Sequence, residues 1–126
     1  TDRIAEAEPL LRRALAIDEA RYGGDHPEVA IDINNLAELL GDTDRLAEAE
    51  PLYRRALAIH EASLGPDHPE VATGLNNLAG LLARTDRLAE AEPLYRRAAL
   101  TLLRSSKANG HLLPNTAGRF GIMRRR

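Results

Sequence analysis

Side chains able to perform acid–base chemistry occur in this sequence as copies 42 residues apart. The tetrapeptide "AEAE" occurs three times and contributes the pairs Glu6 with Glu8, Glu48 with Glu50 and Glu90 with Glu92. Two nearby carboxylates can serve as general acid and general base, but a catalytic pair would not need three copies. An arginine lies four positions after the second glutamate of each pair, which is the spacing of a surface ion pair on a helix. The three pairs are Glu8–Arg12, Glu50–Arg54 and Glu92–Arg96. These acids are therefore expected on a solvated helix face.

The histidines do not form a metal-binding pattern. His26 and His68 each precede a proline in a repeated linker, which is typical of a helix cap, and His60 is replaced by Asp18 in the preceding copy. A His pair at positions i and i+4, a cysteine ligand and a glycine-rich phosphate loop are all missing from the sequence. The sequence therefore predicts a protein with no catalytic site, metal or cofactor.

The composition indicates closely packed helices. The chain of 126 residues is 44% hydrophobic with one Phe, three Tyr and no Trp, so its core must be built from Ala, Leu, Ile and Val. No apolar run approaches the roughly 20 residues that cross a bilayer, and the N-terminus lacks a signal-peptide pattern. We therefore expect a cytoplasmic protein without a membrane partner.

Charge is unevenly distributed along the chain. Residues 1–99 contain nineteen acids and eleven arginines, whereas residues 100–126 contain six basic residues and no acid. A basic segment can attract nucleic acid or acidic lipid, but six charges with a single aromatic residue are a weak signal. We therefore do not expect nucleic acid to be the partner.

A fixed repeat of 42 residues organises the chain. The tripeptide "TDR" occurs at residues 1, 43 and 85, and "RLAEAEPLYRRA" occurs at 45–56 and again at 87–98. The third copy loses its similarity from Ala99 onward. The chain is therefore expected to form a single array of similar units.

Each unit begins with a segment that has the periodicity of an amphipathic helix. This segment, at 27–41 and 69–83, starts with a proline at the first helical position, where no backbone donor is needed. Its apolar residues share one face, namely Val29, Ile33, Leu36, Ala37 and Leu40 in one unit and Val71, Leu75, Leu78, Ala79 and Leu82 in the next.

The second segment, at 45–63, has an apolar stripe and a proline on the opposite face. The stripe consists of Leu46, Ala49, Leu52, Tyr53, Ala56, Ile59 and His60. A proline inside a helix costs about 3 kcal/mol, but Pro51 and its copies Pro9 and Pro93 are tolerated because they point outward. We expect each proline to curve its helix around the core.

The segment "NNLAGLLARTDRLAEAEPLYRRA" at 76–98 resembles a tetratricopeptide repeat. It shows the small-and-large spacing of that family at Leu78, Ala79, Leu82, Leu88, Ala91, Tyr95 and Ala98. The unit of 42 residues, with "LGPDHPEVA" at 64–72, is longer than the usual period of about 34. It resembles the repeats of kinesin light chains and their bacterial relatives. Asp44 and Asp86 occupy the turn position where the family commonly has Gly.

The resemblance implies an all-α solenoid of antiparallel helix pairs, wound as a right-handed superhelix of five or six helices. Residues 1–22 would form a second helix whose first helix is absent, and 27–63 and 69–104 would form two full repeats. Residues 105–126 would be a degenerate basic segment. A short sixth helix there would carry the apolar stripe Leu113, Ala117, Phe120 and Met123.

The resemblance also implies a groove, because the first helices of this family line a concave surface that holds peptides or partner proteins. The residues carried over to that surface are Ile31, Asn34, Asn35, Glu38, Asp42, Thr73, Asn76, Asn77, Gly80 and Arg84. Asn35 and Asn77 are the leading candidates, since an amide both donates to and accepts from a peptide backbone. Asn34 and Asn76 lie nearer the packed face, where bonds to neighbouring helices are the alternative role.

We therefore expect a non-catalytic interaction module that binds a peptide or a partner protein. A clamp for a C-terminal carboxylate is not expected, because Arg84 is opposed by Glu38 and Asp42. The alternative is self-association into a homo-oligomer, since the helix at 1–22 lacks its partner and an exposed apolar stripe invites pairing. That stripe comprises Ile4, Ala7, Leu10, Leu11, Ala14 and Ile17.

Overall fold

Five α-helices make up residues 2–108, the part of the chain that this computed structural model describes, and no strand occurs among them. The helices are α1 Asp2–Tyr22, α2 Pro27–Asp42, α3 Leu46–Leu64, α4 Pro69–Arg84 and α5 Leu88–Ala108. Each helix packs against the next one along the chain, and the short links make neighbours antiparallel. The predicted all-α repeat fold is confirmed. The predicted sixth helix falls outside the described residues.

Helices α2 and α4 begin at the repeated His-Pro dipeptide. The imidazole Nδ1 of His26 accepts a 3.0 Å hydrogen bond from the backbone N–H of Glu28, and His68 accepts one of 3.0 Å from Glu70. Each bond satisfies an N–H in the first turn that has no partner inside the helix. The predicted capping role of both histidines is confirmed.

The turns inside the two full repeats depend on aspartates in the left-handed conformation. The φ angle is 63° at Asp44 and 62° at Asp86, a region that Asp tolerates better than most residues. This conformation lets the N–H of Arg45 donate to the carbonyl of Leu40 at 2.8 Å, and the same bond recurs in the next turn. The two helices of each repeat therefore follow one another after a tight reversal.

The core is formed by the predicted apolar faces. Every residue predicted on the inner faces of α2 and α4 is exposed by no more than 1%. On α3 the stripe is buried except at Leu46 and Leu52, which are partly buried. Alanines such as Ala49 and Ala79 let the helices approach closely, while each fully buried leucine contributes about 1.5–3 kcal/mol.

The prolines lie inside α1, α3 and α5 without interrupting them. Pro9, Pro51 and Pro93 are all exposed, so the carbonyl that loses its hydrogen-bond donor can bond to water. Their predicted outward position is confirmed. The curvature that each proline imposes on its helix stays a prediction.

The surface ion pairs follow the repeat only in part. Glu8–Arg12 and Glu50–Arg54 form as predicted, each at 2.9 Å. The third predicted pair, with Arg96, is not formed, and Glu92 has no ion-pair partner within residues 2–108. Glu8 and Glu50 are also held by an arginine of the following repeat, Arg45 and Arg87 respectively, whereas Glu92 has no such contact among the described residues.

Apolar side chains are exposed on both outer helices. On α1, Leu10 and Ile17 are 61% and 56% exposed, as predicted for an unpaired helix. The other four residues of the predicted stripe are partly buried, namely Ile4, Ala7, Leu11 and Ala14, and Leu11 packs against the core. On α5, Leu88 and Leu103 are exposed. None of the helices in the described range is long and apolar enough to cross a membrane.

Candidate binding groove

The predicted groove residues belong to α2 and α4, which meet near their C-terminal ends. Arg84, the last residue of α4, donates a 3.0 Å hydrogen bond from Nη2 to the carbonyl of Gly41 on α2. The same nitrogen lies 3.9 Å from Oδ1 of Asp44. Arg84 therefore ties the end of α4 to the end of α2 and to the turn that follows it.

A cavity of about 230 Å³ opens beside this contact. Its lining comprises Tyr53, Asn76, Asn77, Gly80, Leu81 and Arg84. The cavity thus brings together the candidates of α4 except Thr73. The candidates outside its lining are Ile31, Asn34, Asn35, Glu38, Asp42 and Thr73.

Tyr53 of α3 contributes its side chain to the lining of the cavity. It is 7% exposed, and its hydroxyl forms no hydrogen bond with any residue in the described range. Burial is the main cause that raises the pKa of Tyr53 to about 12, and the carboxylates of Glu38 and Asp42 act in the same direction against Arg84. The two acids of α2 therefore influence the cavity electrostatically although they do not line it.

The sequence places Tyr53 on an apolar stripe and does not indicate a binding role. The sequence nevertheless contained one indication of such a role. A tyrosine hydroxyl recurs 42 residues later at Tyr95, although both stripes consist mostly of Leu and Ala. Tyr95 is 42% exposed, and its hydroxyl lies 3.8 Å from the place that a Cβ on Gly80 would occupy. Both tyrosines therefore lie close to the same small stretch of α4.

The four asparagines differ in their surroundings. Asn35 and Asn76 are exposed, whereas Asn34 and Asn77 are partly buried. The side-chain oxygen of Asn34 is buried and has no hydrogen-bond partner among the described residues. Neither Asn34 nor Asn76 bonds to a neighbouring helix within residues 2–108. The alternative role considered for these two residues is thus not observed there.

Two further candidates offer little to a polar ligand. The hydroxyl of Thr73 donates a 3.3 Å hydrogen bond to the carbonyl of Pro69 in its own helix. Ile31 is 46% exposed and apolar. The Thr73 hydroxyl could therefore only accept a hydrogen bond from a ligand, and Ile31 could contact a ligand only through its carbon atoms.

A second cavity, of about 500 Å³, lies at the α3–α4 link. Its lining comprises Leu64, Gly65, Pro66, Asp67, His68, Pro69 and Ser105. It contains none of the groove candidates, and the Nδ1 atom of His68 is already used as a cap. Within residues 2–108, no three His, Cys, Asp or Glu side chains are placed to hold a metal ion.

Comparison with known proteins identifies the repeat. The sequence profile of the tetratricopeptide repeat family matches residues 1–62 and 31–99. No curated protein sequence matches the chain significantly. Among solved structures, the crystal structure of BtubC (BKLC) from P. vanneervenii is similar, with a TM-score of 0.67 and 21% identity over 99% of this chain and 59% of that one. The chain thus spans little more than half of that structure, and the similarity shows a shared fold.

The tetratricopeptide repeat predicted from the sequence is confirmed by the family match, and the similarity to BtubC (BKLC) shows a shared fold. Tetratricopeptide repeats generally mediate protein–protein interaction and are generally non-catalytic scaffolds. The family profile covers residues 1–99, well over half of the sequence. The chain belongs to the tetratricopeptide repeat family.

Proposed function

We propose that this chain is a non-catalytic interaction module that binds an extended peptide of a partner protein along α2 and α4. The observation that carries the proposal is the cavity at the end of α4, where Asn77, Arg84 and Tyr53 converge. Ligand sites typically combine a concave apolar surface with a few polar groups that converge on it. The cavity is small, at about 230 Å³, and it combines apolar and polar lining residues in the same way.

The asparagines can hold a peptide through its backbone, without selecting strongly for its side chains. An amide side chain presents one acceptor and two donor hydrogens, so Asn77 can pair with both the N–H and the C=O of a peptide backbone. Asn35 occupies the equivalent position one repeat earlier and is exposed. Two such amides, one per repeat, would hold an extended backbone at two points.

The test is to pan a displayed random-peptide library against the intact chain and to titrate the selected peptides. Asn35→Ala combined with Asn77→Ala is expected to weaken binding about tenfold or more, since two hydrogen-bonding sites are lost at about 0.5–1.5 kcal/mol each. Asp25→Ala, an exposed residue beside the other end of α2, is the control and should bind as the unaltered chain does. Unchanged binding by the double variant would place the site elsewhere.

Self-association is a second candidate function, favoured by the exposure of Leu10 and Ile17 on α1. Contact between two copies through these side chains would remove apolar surface from water. Sedimentation at several concentrations tests this idea. An assembly that dissociates on substituting Leu10→Glu and Ile17→Glu would support it, and a monomer at every concentration would remove it.

The domain organisation, the cellular location and the class of partner are proposed from the sequence. We propose one continuous array over residues 1–126, with repeats at 27–63 and 69–104 and a basic segment at 105–126, that acts in the cytoplasm on a protein partner. Nucleic acid is not part of this proposal. Retention of RNA by the intact chain that weakens steeply with salt would contradict it.

A further inference from the structure

An arginine that precedes the second helix of a repeat binds a glutamate of the repeat before it. Nη1 of Arg45 lies 2.6 Å from a carboxylate oxygen of Glu8, and Nη1 of Arg87 lies 2.7 Å from one of Glu50. In both cases the partners are 37 residues apart in the sequence. This ion pair is therefore a recurring feature of the contact between two consecutive repeats.

One arginine and one glutamate of the same pattern are unpaired. Arg3 is the copy of Arg45 in the first "TDR", and Glu92 is the copy of Glu50 in the third "AEAE". Both side chains are exposed, and neither has an ion-pair partner within residues 2–108. Arg3 lies at the beginning of α1 and Glu92 lies on α5, so the two outer helices carry opposite halves of one contact.

Helix α5 also exposes apolar side chains where α3 is covered by the helix that follows it. Tyr53 of α3 is 7% exposed and lines the cavity with residues of α4, whereas its copy Tyr95 is 42% exposed. His60 is 1% exposed, whereas Leu102, at the same place on α5, is 40% exposed. Helix α5 thus presents the face with which α3 packs against the next repeat.

Helix α1 is uncovered on the complementary face. Ile59 of α3 is 4% exposed and packs with Val29 and Ile33 of α2, the helix that precedes it. Its copy on α1, Ile17, is 56% exposed. Helix α1 thus presents the face with which a second helix receives the part of the array before it, and exposed apolar surface of this kind marks an interaction site.

We propose that a second copy of this chain continues the array, its α1 lying beyond α5 as α5 lies beyond α3. Glu92 of one copy accepts hydrogen bonds from Arg3 of the next, which repeats the contact between Glu50 and Arg87. The inference rests on self-association, the second candidate function, and names the surfaces that meet. One first helix belongs between the two copies, and residues 109–126, which follow α5, exceed the 16 residues of α2 in number.

This head-to-tail contact is heterologous, because two different surfaces meet and every added copy leaves one α1 and one α5 open. The mean mass of the intact chain should therefore rise with concentration in sedimentation velocity without stopping at a dimer. Pairing of α1 with α1 would instead stop at two chains. Association should weaken in about 1 M salt, where the Debye length is ~3 Å.

Charge reversal tests the joint. Glu92→Arg and Arg3→Glu each place like charges opposite one another, and each should weaken association about tenfold. An equal mixture of the two variants should recover it, because alternating copies restore a glutamate opposite an arginine at every joint. The control is Asp25→Arg in the exposed α1–α2 link, which changes the net charge as much as Glu92→Arg and should associate as the unaltered chain does. Circular dichroism checks that every variant keeps its helices.

The outcomes separate this inference from the function on which it rests. Recovery on mixing would support the head-to-tail joint. Reversals that weaken association without recovery on mixing would overturn it. A dimer that neither reversal affects would also overturn it and keep self-association through α1. A monomer at every concentration would remove self-association as well, and it would leave peptide binding by the groove unaffected.

Discussion

Glu50 of α3 lies 2.7 Å from Nη1 of Arg87, the residue just before α5, and this contact joins the second helices of two consecutive repeats. The same contact joins Glu8 to Arg45 at 2.6 Å one repeat earlier. The Arg87 hydrogen bond is the main reason that the pKa of Glu50 lies below its ordinary value. The repeats are therefore linked across the surface as well as through the core.

Replacing Glu50 with Gln should weaken this link. We expect a loss of about 0.2–1 kcal/mol in the free energy of unfolding, because both partners are partly exposed and surface ion pairs contribute little. Glu92→Gln is the matched control, since Glu92 is the copy of Glu50 and has no ion-pair partner in the described range. Urea unfolding at low and high salt measures both variants. An equal loss in the two would contradict the assignment.

Two glycines of α4 should respond in opposite ways to alanine. A Cβ on Gly80 would lie 3.8 Å from the hydroxyl of Tyr95, an ordinary contact. Gly80→Ala should therefore stabilise the helix by about 0.5–1 kcal/mol, since glycine disfavours helix interiors. A Cβ on Gly74 would lie 3.2 Å from Cδ1 of Leu57. Gly74→Ala should gain less or lose stability because Leu57 must move.

Thermal unfolding of the two variants makes the comparison. A higher midpoint for Gly80→Ala than for Gly74→Ala is the expected result. The reverse order would contradict the close packing of Gly74 against Leu57.

Asp32 should make stability decrease as pH rises. Burial, followed by the carboxyl of Asp18 and then by Glu28, raises the pKa of Asp32 from 3.8 to about 6. The folded chain therefore holds this proton more tightly than the unfolded chain. Its contribution is complete below pH 3.8 and is lost as the pH rises through about 6.

Asp32→Asn should remove this dependence. At neutral pH the variant is expected to be more stable by on the order of 1–3 kcal/mol, and the gain should vanish in acid, where Asp32 is protonated in both states. Urea unfolding across this pH range checks the result, with Asp25→Asn in the exposed α1–α2 link as control. A gain that is independent of pH would contradict the carboxyl contact.

His60 should have the opposite dependence. It is 1% exposed, its Nδ1 has no hydrogen-bond partner among the described residues, and burial lowers its pKa below 6.5. The unfolded chain therefore takes up a proton first as the pH falls. The stability present above pH 6.5 is lost as the pH falls through the lowered pKa of His60.

His60→Leu is a conservative test, because Leu102 occupies the same place in the next repeat. We expect a gain of about 1 kcal/mol at neutral pH, since a buried polar atom without a partner is removed. The loss of stability in mild acid should also become smaller, as measured by unfolding at pH values above and below 6.5. An unchanged slope would show that another group titrates there.

Most of the fold could be predicted because its signals are local. The His-Pro caps, the left-handed turns at Asp44 and Asp86 and the inner faces of α2 and α4 depend on residues a few positions apart. The prediction of a Glu92–Arg96 pair was wrong although its spacing is local. The sequence could not show that the equivalent glutamates are also held by arginines of the following repeat.

The candidate site was predicted only in part. Asn77 and Arg84 were named from their position on α4, and both line the cavity. Tyr53 was not named, because its place on an apolar stripe indicates only burial. Only the packing of α3 beside α4 shows that Tyr53 lines the cavity.

The amino-acid sequence by itself determined the repeat, the helices, their buried faces and the family, since these follow from periodicity and from contacts within a turn or two. The tertiary structure alone decided which distant side chains meet. Asp32 and Gly74 hold equivalent places 42 residues apart, yet one faces the carboxyl of Asp18 and the other faces Leu57. The physical reason is that burial, charge pairing and cavity shape arise between helices, so identical positions in the repeat acquire different chemistry from their neighbours.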